Sequence, residues 1–219
     1  MQVEQGQPLC YKLPMESIEV LTTDEAKLLA KKLKIKKLEF DVQEQAQTQF
    51  LPFVRNVWPE FIEGSHHKII SKKFEKIANG KLKRLIVNMP PRHTKSEFAS
   101  FLFPAWFVGR NPKAKIMQTT HTGELAIRFG RKVRNLMDSA DYKKIFPKAF
   151  LQPDSMAAGR WETAQGGEYF AAGTGGAVTG RGADLLIIDD PHSEQDALSE
   201  TAMENAWEWY TSGPRQRLQ

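Results

Sequence analysis

The sequence predicts a three-layer α/β domain with a mainly parallel central sheet, preceded by a small helical N-terminal segment. Short, largely apolar runs at residues 84–89 and 184–189 read as strands buried on both faces of a sheet, and residues 114–120 read as a further strand between them. Helically patterned stretches at 95–108, 123–137 and 199–210 follow them in turn, and strands alternating with helices imply parallel crossover units. A length of 219 residues with 41% hydrophobic residues suits one such domain and a small appendage. The expected division is an arm and short helix over 1–40 and the α/β domain over 41–219.

The first 20 residues, with Pro8 and Pro14 and no clear period, read as a loose arm. Thr22, Thr23 and Asp24 offer N-caps for a short helix, with Leu21, Leu28, Leu29 and Leu33 on one stripe and lysines opposite. That helix is a solvated amphipathic one or a docking helix. Residues 40–61 read as helical, interrupted by Pro52 and Pro59. The run 84–89 stops at Pro90 and Pro91, and Pro104 is expected to kink or end the helix that follows. Residues 161–163 and 168–172 form a candidate hairpin across Gln165, Gly166 and Gly167. The glycine-rich stretch 173–182 leads into a strand without a following Lys-Ser pair, and so reads as a flexible loop at the sheet edge near the site. Trp106, Trp161, Trp207 and Trp209 read as packing residues, and His66, His67 and His121 as core or surface residues, because none has metal-ligand companions at the required spacing.

The net charge of +5 permits contact with a polyanion without requiring it, since 31 basic and 26 acidic residues are interspersed. The single cysteine, Cys10, excludes an internal disulfide and a multi-cysteine metal site, in keeping with a reducing compartment. No stretch approaches the roughly 18 apolar residues that a membrane-spanning helix needs.

The chemistry is concentrated in two motifs. A triphosphate requires backbone N–H groups converging on it, a helix N-terminus behind them, an ammonium near the β and γ oxygens and a hydroxyl for magnesium. Pro91, Arg92, His93, Thr94, Lys95 and Ser96 supply that order between a predicted strand and a predicted helix, with Lys95 and Ser96 in the phosphate-loop positions. Both consensus glycines are replaced, by Met89 and Thr94, so an ordinary strand-to-helix connection with a chance Lys-Ser pair fits as well. The second motif is the run 185–188, which delivers Asp189 and Asp190 to the carboxyl end of a strand, where ligands bind in open α/β sheets. There one acid holds magnesium and its neighbour orients the attacking water. A plain helix cap before Pro191 reads the same way in isolation. In this order the two motifs together point to nucleotide hydrolysis.

Segments 85–97, 103–106, 129–134, 173–184 and 185–191 resemble the N-terminal ATPase domain of the large terminase subunit of tailed bacteriophages, over roughly residue 53 onward. Pro90, Pro91, Arg92 and His93 ahead of Lys95 and Ser96 are characteristic of that family. The resemblance implies a P-loop NTPase of the RecA/ASCE type, with ATP and Mg2+ as cofactors, that drives double-stranded DNA into a procapsid. It implies a homo-oligomeric ring on the portal protein, the small terminase subunit as a further partner, no membrane, and a place in the host cytoplasm. Carried over by position, Lys95 contacts the β and γ phosphates, Ser96 and Asp189 serve the metal, and Arg92 stabilises the transferring phosphoryl group. Glu97 completes the loop contacts. The water-orienting acid is Asp190 or Glu194. The arginines of 129–134 are candidates for a finger acting in trans, with Arg131 first among them by a narrow margin, and a solvated basic helix face fits them at least as well. Gln47, between Gln45 and Gln49, stands where a base-reading glutamine would, or on a polar helix surface. In that family a coupling strand and a nuclease domain follow the region of residues 207–218; no nuclease activity is expected from residues 1–219, because the only paired acids at a strand end are already assigned to the ATP site. A helicase-like P-loop enzyme and a degenerate, non-hydrolysing assembly module are the competing readings.

Overall fold

The computed structural model describes residues 22–178 and 180–218, so the arm, Cys10 and Leu21 lie outside the described residues. The chain divides into two compact units, residues 1–40 and 41–219. The first helix, α1 (Thr23–Thr48), starts in the first unit and is far longer than the short helix expected. Its start is a capping box: the Glu25 amide donates to Thr22 Oγ1 and the Thr22 amide to the Glu25 carboxylate, at 3.4 and 2.8 Å. Leu28, Leu29 and Leu33 are all exposed.

In the second unit α2 (Phe50–Val57) and α3 (Ser65–Ala78) precede the phosphate-loop region. Pro52 does not interrupt α2 but lies in its first turn, where a missing N–H costs no intrahelical bond. Pro104 likewise does not end its helix. Residues Glu97–Leu102 make π turns, in which the Phe103 amide donates to the Phe98 carbonyl, and Pro104 enters α4 (Phe103–Arg110) at the helix start. Then follow β1 (Lys115–Thr120), α5 (Gly123–Asp138), α6 (Ala140–Ile145), β2 (Leu151–Ala157), β3 (Arg160–Thr163), β4 (Glu168–Gly173), β5 (Leu185–Ile188) and α7 (Glu200–Ser212). The sequence reading does not include α3, α6 and β2, although α3 carries an apolar stripe of Ile70, Phe74 and Ile77 that packs on the main core.

The architecture is mixed α/β, with one five-stranded sheet in the order β2-β3-β4-β1-β5. β1 pairs in parallel with β4 and β5, whereas β2, β3 and β4 pair antiparallel. The sheet is therefore mixed rather than mainly parallel, because the short turn between β3 and β4 permits only a hairpin and β2 extends it. The run 84–89 is not a strand. Leu85, Val87 and Met89 pack on the main core while Ile86 is 87% exposed. An apolar run signals burial, but a strand also needs a neighbour with free backbone groups. β5 pairs only with β1 among the described residues.

The main core is aromatic: Phe50 meets Phe74, Phe98, Phe103 and Trp106 edge-on, with ring centroids 5.4 to 6.0 Å apart. A smaller cluster of Met117, Ala172, Val178 and Ala183, with Trp209 against it, packs separately. Trp106 and Trp161 are fully buried as packing residues, but Trp207 is 61% exposed. At the ends of β1 and β4, a Cβ on Gly173 would lie 2.5 Å from the Gly123 amide, so only glycine permits this approach of β4 to the start of α5.

Candidate active site

Asp189 and Asp190 follow β5 at its carboxyl end and are held to the end of β1 by backbone bonds. The Asp189 amide donates to the Thr119 carbonyl at 2.9 Å and the His121 amide to the Asp190 carbonyl at 3.1 Å. The strand's alternation turns Asp189 toward the same face as Leu185 and Ile187, which belong to the main core. Its carboxylate is only 6% exposed. A carboxylate so desolvated needs donors, and Ser100, itself fully buried in the π-turn segment, supplies one through Oγ at 2.8 Å from Asp189 Oδ2. Asp190 faces outward, with its side chain 62% exposed and a left-handed φ of 45°.

The segment of residues 91–96 converges on these acids. Lys95 lies 95 residues before Asp190, yet its Nζ sits 2.5 Å from Asp190 Oδ1 and 3.9 Å from Asp189 Oδ1. Arg92 and Thr94 have φ of 63° and 62°, and His93 between them lies outside the left-handed region. Such alternation turns successive N–H groups to one side and forms a concavity suited to an anion. Helical turns begin at Lys95, and the first amides of a helix lack intrahelical acceptors and suit an anion. Pro91, Arg92 and His93 are exposed, and His93 Nδ1 donates to the Pro91 carbonyl at 2.9 Å. Ser96, half-buried, immediately precedes the π segment and makes no side-chain hydrogen bond among the described residues.

The remaining sequence candidates are dispersed. Glu97 is bound through both oxygens to Lys132 of α5 at 2.6 Å, which makes it a clamp between two helices. Gln47 donates to the Ile145 carbonyl at 2.5 Å, so its amide is engaged in joining α1 to α6. Arg131 and Arg128 are exposed on α5, whereas Arg134 donates to the Met156 carbonyl at 2.6 Å and so braces β2. Glu194 is exposed after β5. The glycine-rich loop does reach the strand ends: Thr174 Oγ1 donates to the Pro191 carbonyl at 2.9 Å and the Thr174 amide to the Thr120 carbonyl at 2.8 Å. Thr179 lies outside the described residues.

A magnesium nucleotide fits this donor set. Mg2+ keeps several waters and takes one or two carboxylates and substrate phosphates rather than an all-protein cage. No three His, Cys, Asp or Glu side chains gather into such a cage among the described residues, and Asp189 Oδ1 and Asp190 Oδ1 already face one cation, the Lys95 ammonium. An open cleft lined by Gln152, Asp154, Met156, Arg160 and Glu162 lies on β2 and β3, toward the sheet edge opposite β5. Sequence reasoning does not single out Ser100, a serine within an apolar aromatic stretch with no motif around it, and reads His67 only as a core or surface residue. No model of a known protein family matches the chain, and comparison with curated proteins finds no match.

Proposed function

We propose that this chain is a P-loop ATPase domain and, through the resemblance of segments 85–97 and 173–191, the ATP-hydrolysing part of a large terminase subunit that packages double-stranded viral DNA. The observation that carries the ATPase reading is the meeting of Lys95 with Asp189 and Asp190, which joins two motifs that are remote in sequence. The alternating left-handed φ at Arg92 and Thr94 supports it, because the loop keeps an anion-cradling shape without its consensus glycines. That shape also weighs against the non-hydrolysing module, whose main support was the loss of those glycines.

Bound Mg2+ with ATP supplies charge neutralisation at the β and γ oxygens and a phosphoryl group open to attack by water. This chain's residues do the rest. The exposed amides of the loop would bind phosphate oxygens, and Ser96 and Asp189 would hold the metal. A phosphate chain that draws the Lys95 ammonium toward itself releases Asp190, whose carboxylate then accepts a hydrogen bond from the attacking water. Arg92 is placed to meet charge on the transferring group, and Arg131, exposed on α5, to reach a neighbouring subunit of a ring. In the packaging reading that ring sits on a portal protein in the host cytoplasm and works with a small terminase subunit. ATP hydrolysis measured with and without double-stranded DNA tests the reading. Magnesium-dependent turnover stimulated by DNA is expected, and a chain that binds no ATP at millimolar nucleotide would refute it.

A further inference from the structure

The loop contains an unusual backbone choice. Thr94 stands where the phosphate-loop pattern has glycine and adopts φ of 62°, a left-handed conformation that a β-branched residue strongly disfavours. Something outside the loop must hold it, and one side chain reaches it. His67 of α3, 4% exposed, lies between Phe61 and Phe98 with ring centroids 4.7 Å from each, and its Nε2 is 2.7 Å from Thr94 Oγ1.

The direction of every hydrogen bond around this ring is determined. The Gly64 amide can only donate, and it points at His67 Nδ1 from 2.8 Å, so Nδ1 carries the lone pair. The ring proton is then on Nε2 and is donated to Thr94 Oγ1. The threonine hydroxyl in turn donates to the His93 carbonyl at 2.6 Å. The chain of bonds runs from the cap of α3, through the imidazole, into the loop backbone, with every donor and acceptor used once.

We propose that His67 is a positioning residue for the phosphate loop, whose Nε2–H holds Thr94 in the left-handed conformation that a glycine would adopt freely. The proposal rests on the nucleotide-site reading above and assigns the residue that shapes that site. It explains how a loop without consensus glycines keeps the concavity that presents its amides to phosphate. It also makes the clamp sensitive to protonation, because an Nδ1–H would face the Gly64 N–H donor to donor. The ionisable groups around the ring are Glu63 before α3, His66 beside it at 3.8 Å between ring centroids, and His93 of the loop. Burial, reinforced by His66 and His93 and opposed by Glu63, holds His67 below the ordinary imidazole value. The clamp is therefore intact above pH of about 6.5 and is lost as pH falls through the lower folded value.

The test uses the whole chain with His67→Ala, Thr94→Gly and the double variant. Imidazole ¹⁵N shifts at neutral pH, without nucleotide, should show the Nε2–H tautomer at His67, and the Thr94 ¹³Cα and ¹³Cβ shifts a left-handed residue that relaxes in His67→Ala. Binding of a fluorescent ADP analogue with Mg2+ should weaken by about tenfold in His67→Ala, the scale of one buried hydrogen bond lost with its partner left unmatched. In the Thr94→Gly background, where the loop needs no clamp, the same replacement should cost little. His67→Gln, whose amide reaches the Nε2 position, should recover part of the loss. Equal losses in both backgrounds would mean that His67 is a packing residue and would overturn the proposal, as would an Nδ1–H tautomer. Failure of the unaltered chain to bind any nucleotide would instead remove the function proposed above. The clamp would then stand or fall on the ¹⁵N and ¹³C shifts alone.

Discussion

Replacing Ser100 with alanine removes one hydrogen bond from a carboxylate that has little else to meet it. Ser100 is fully buried, its Oγ lies 2.8 Å from Asp189 Oδ2, and Asp189 is 6% exposed, so water cannot replace the lost donor without opening the core. A hydrogen bond to a charged group is worth about 1.5 to 3 kcal/mol, whereas the single oxygen removed leaves only a small void. For a domain of this size that loss lowers the melting temperature by roughly 3 to 12 °C. Asp189 Oδ2 is also the oxygen that fixes the carboxylate's rotation, while Oδ1 faces Lys95 at 3.9 Å. Freed from Ser100, the carboxylate turns, and affinity for magnesium nucleotide falls on the order of 10- to 100-fold, as for other residues that orient a metal ligand. Thermal or urea unfolding gives the first quantity, and titration of ADP at fixed Mg2+, below the unfolding range, gives the second. A variant with unchanged stability refutes the assignment of Ser100 as the donor to a charged Asp189. A destabilised variant with unchanged nucleotide affinity refutes Asp189 as a metal ligand.

Lys95→Ala should retain the fold, because the side chain sits in the loop and belongs to neither apolar cluster, and should lower turnover roughly 100- to 1000-fold in an ATPase assay. Unaltered turnover removes the loop from the mechanism. Asp189→Ala should weaken magnesium-dependent nucleotide binding, whereas Asp190→Asn should preserve binding and stop hydrolysis; equal binding losses in the two would abolish this division of roles. Specific activity should rise with protein concentration, since a finger supplied in trans raises turnover by ~10³ to 10⁵ in phosphoryl-transfer enzymes. Mixing inactive Lys95→Ala and Arg131→Ala chains under ring-forming conditions should restore activity. No restoration alongside a concentration-dependent parent points to Arg128 instead, because Arg134 is already bound to the Met156 carbonyl.

The elements that were legible in the sequence are those whose signal is local. The helical pattern over 123–137 located α5, the run 184–189 located β5, and Gln165, Gly166 and Gly167 located the hairpin of β3 and β4. In each case the chain's own periodicity or turn chemistry suffices. The order Arg92 to Ser96 and the pair Asp189 and Asp190 likewise marked the candidate site without any coordinates. Only the tertiary structure decided which of those residues meet. It brought Lys95 to Asp190, bound Glu97 to Lys132 and Gln47 to Ile145, and left the apolar run 84–89 packed but unpaired. The reason is physical: apolar patterning reports how much water a segment avoids, but pairing, carboxylate orientation and loop dihedrals depend on partners remote in sequence. Ser100 is invisible as a serine in an aromatic stretch until Asp189 lies above it, and a threonine at a glycine position gives no hint that a histidine of α3 holds it there.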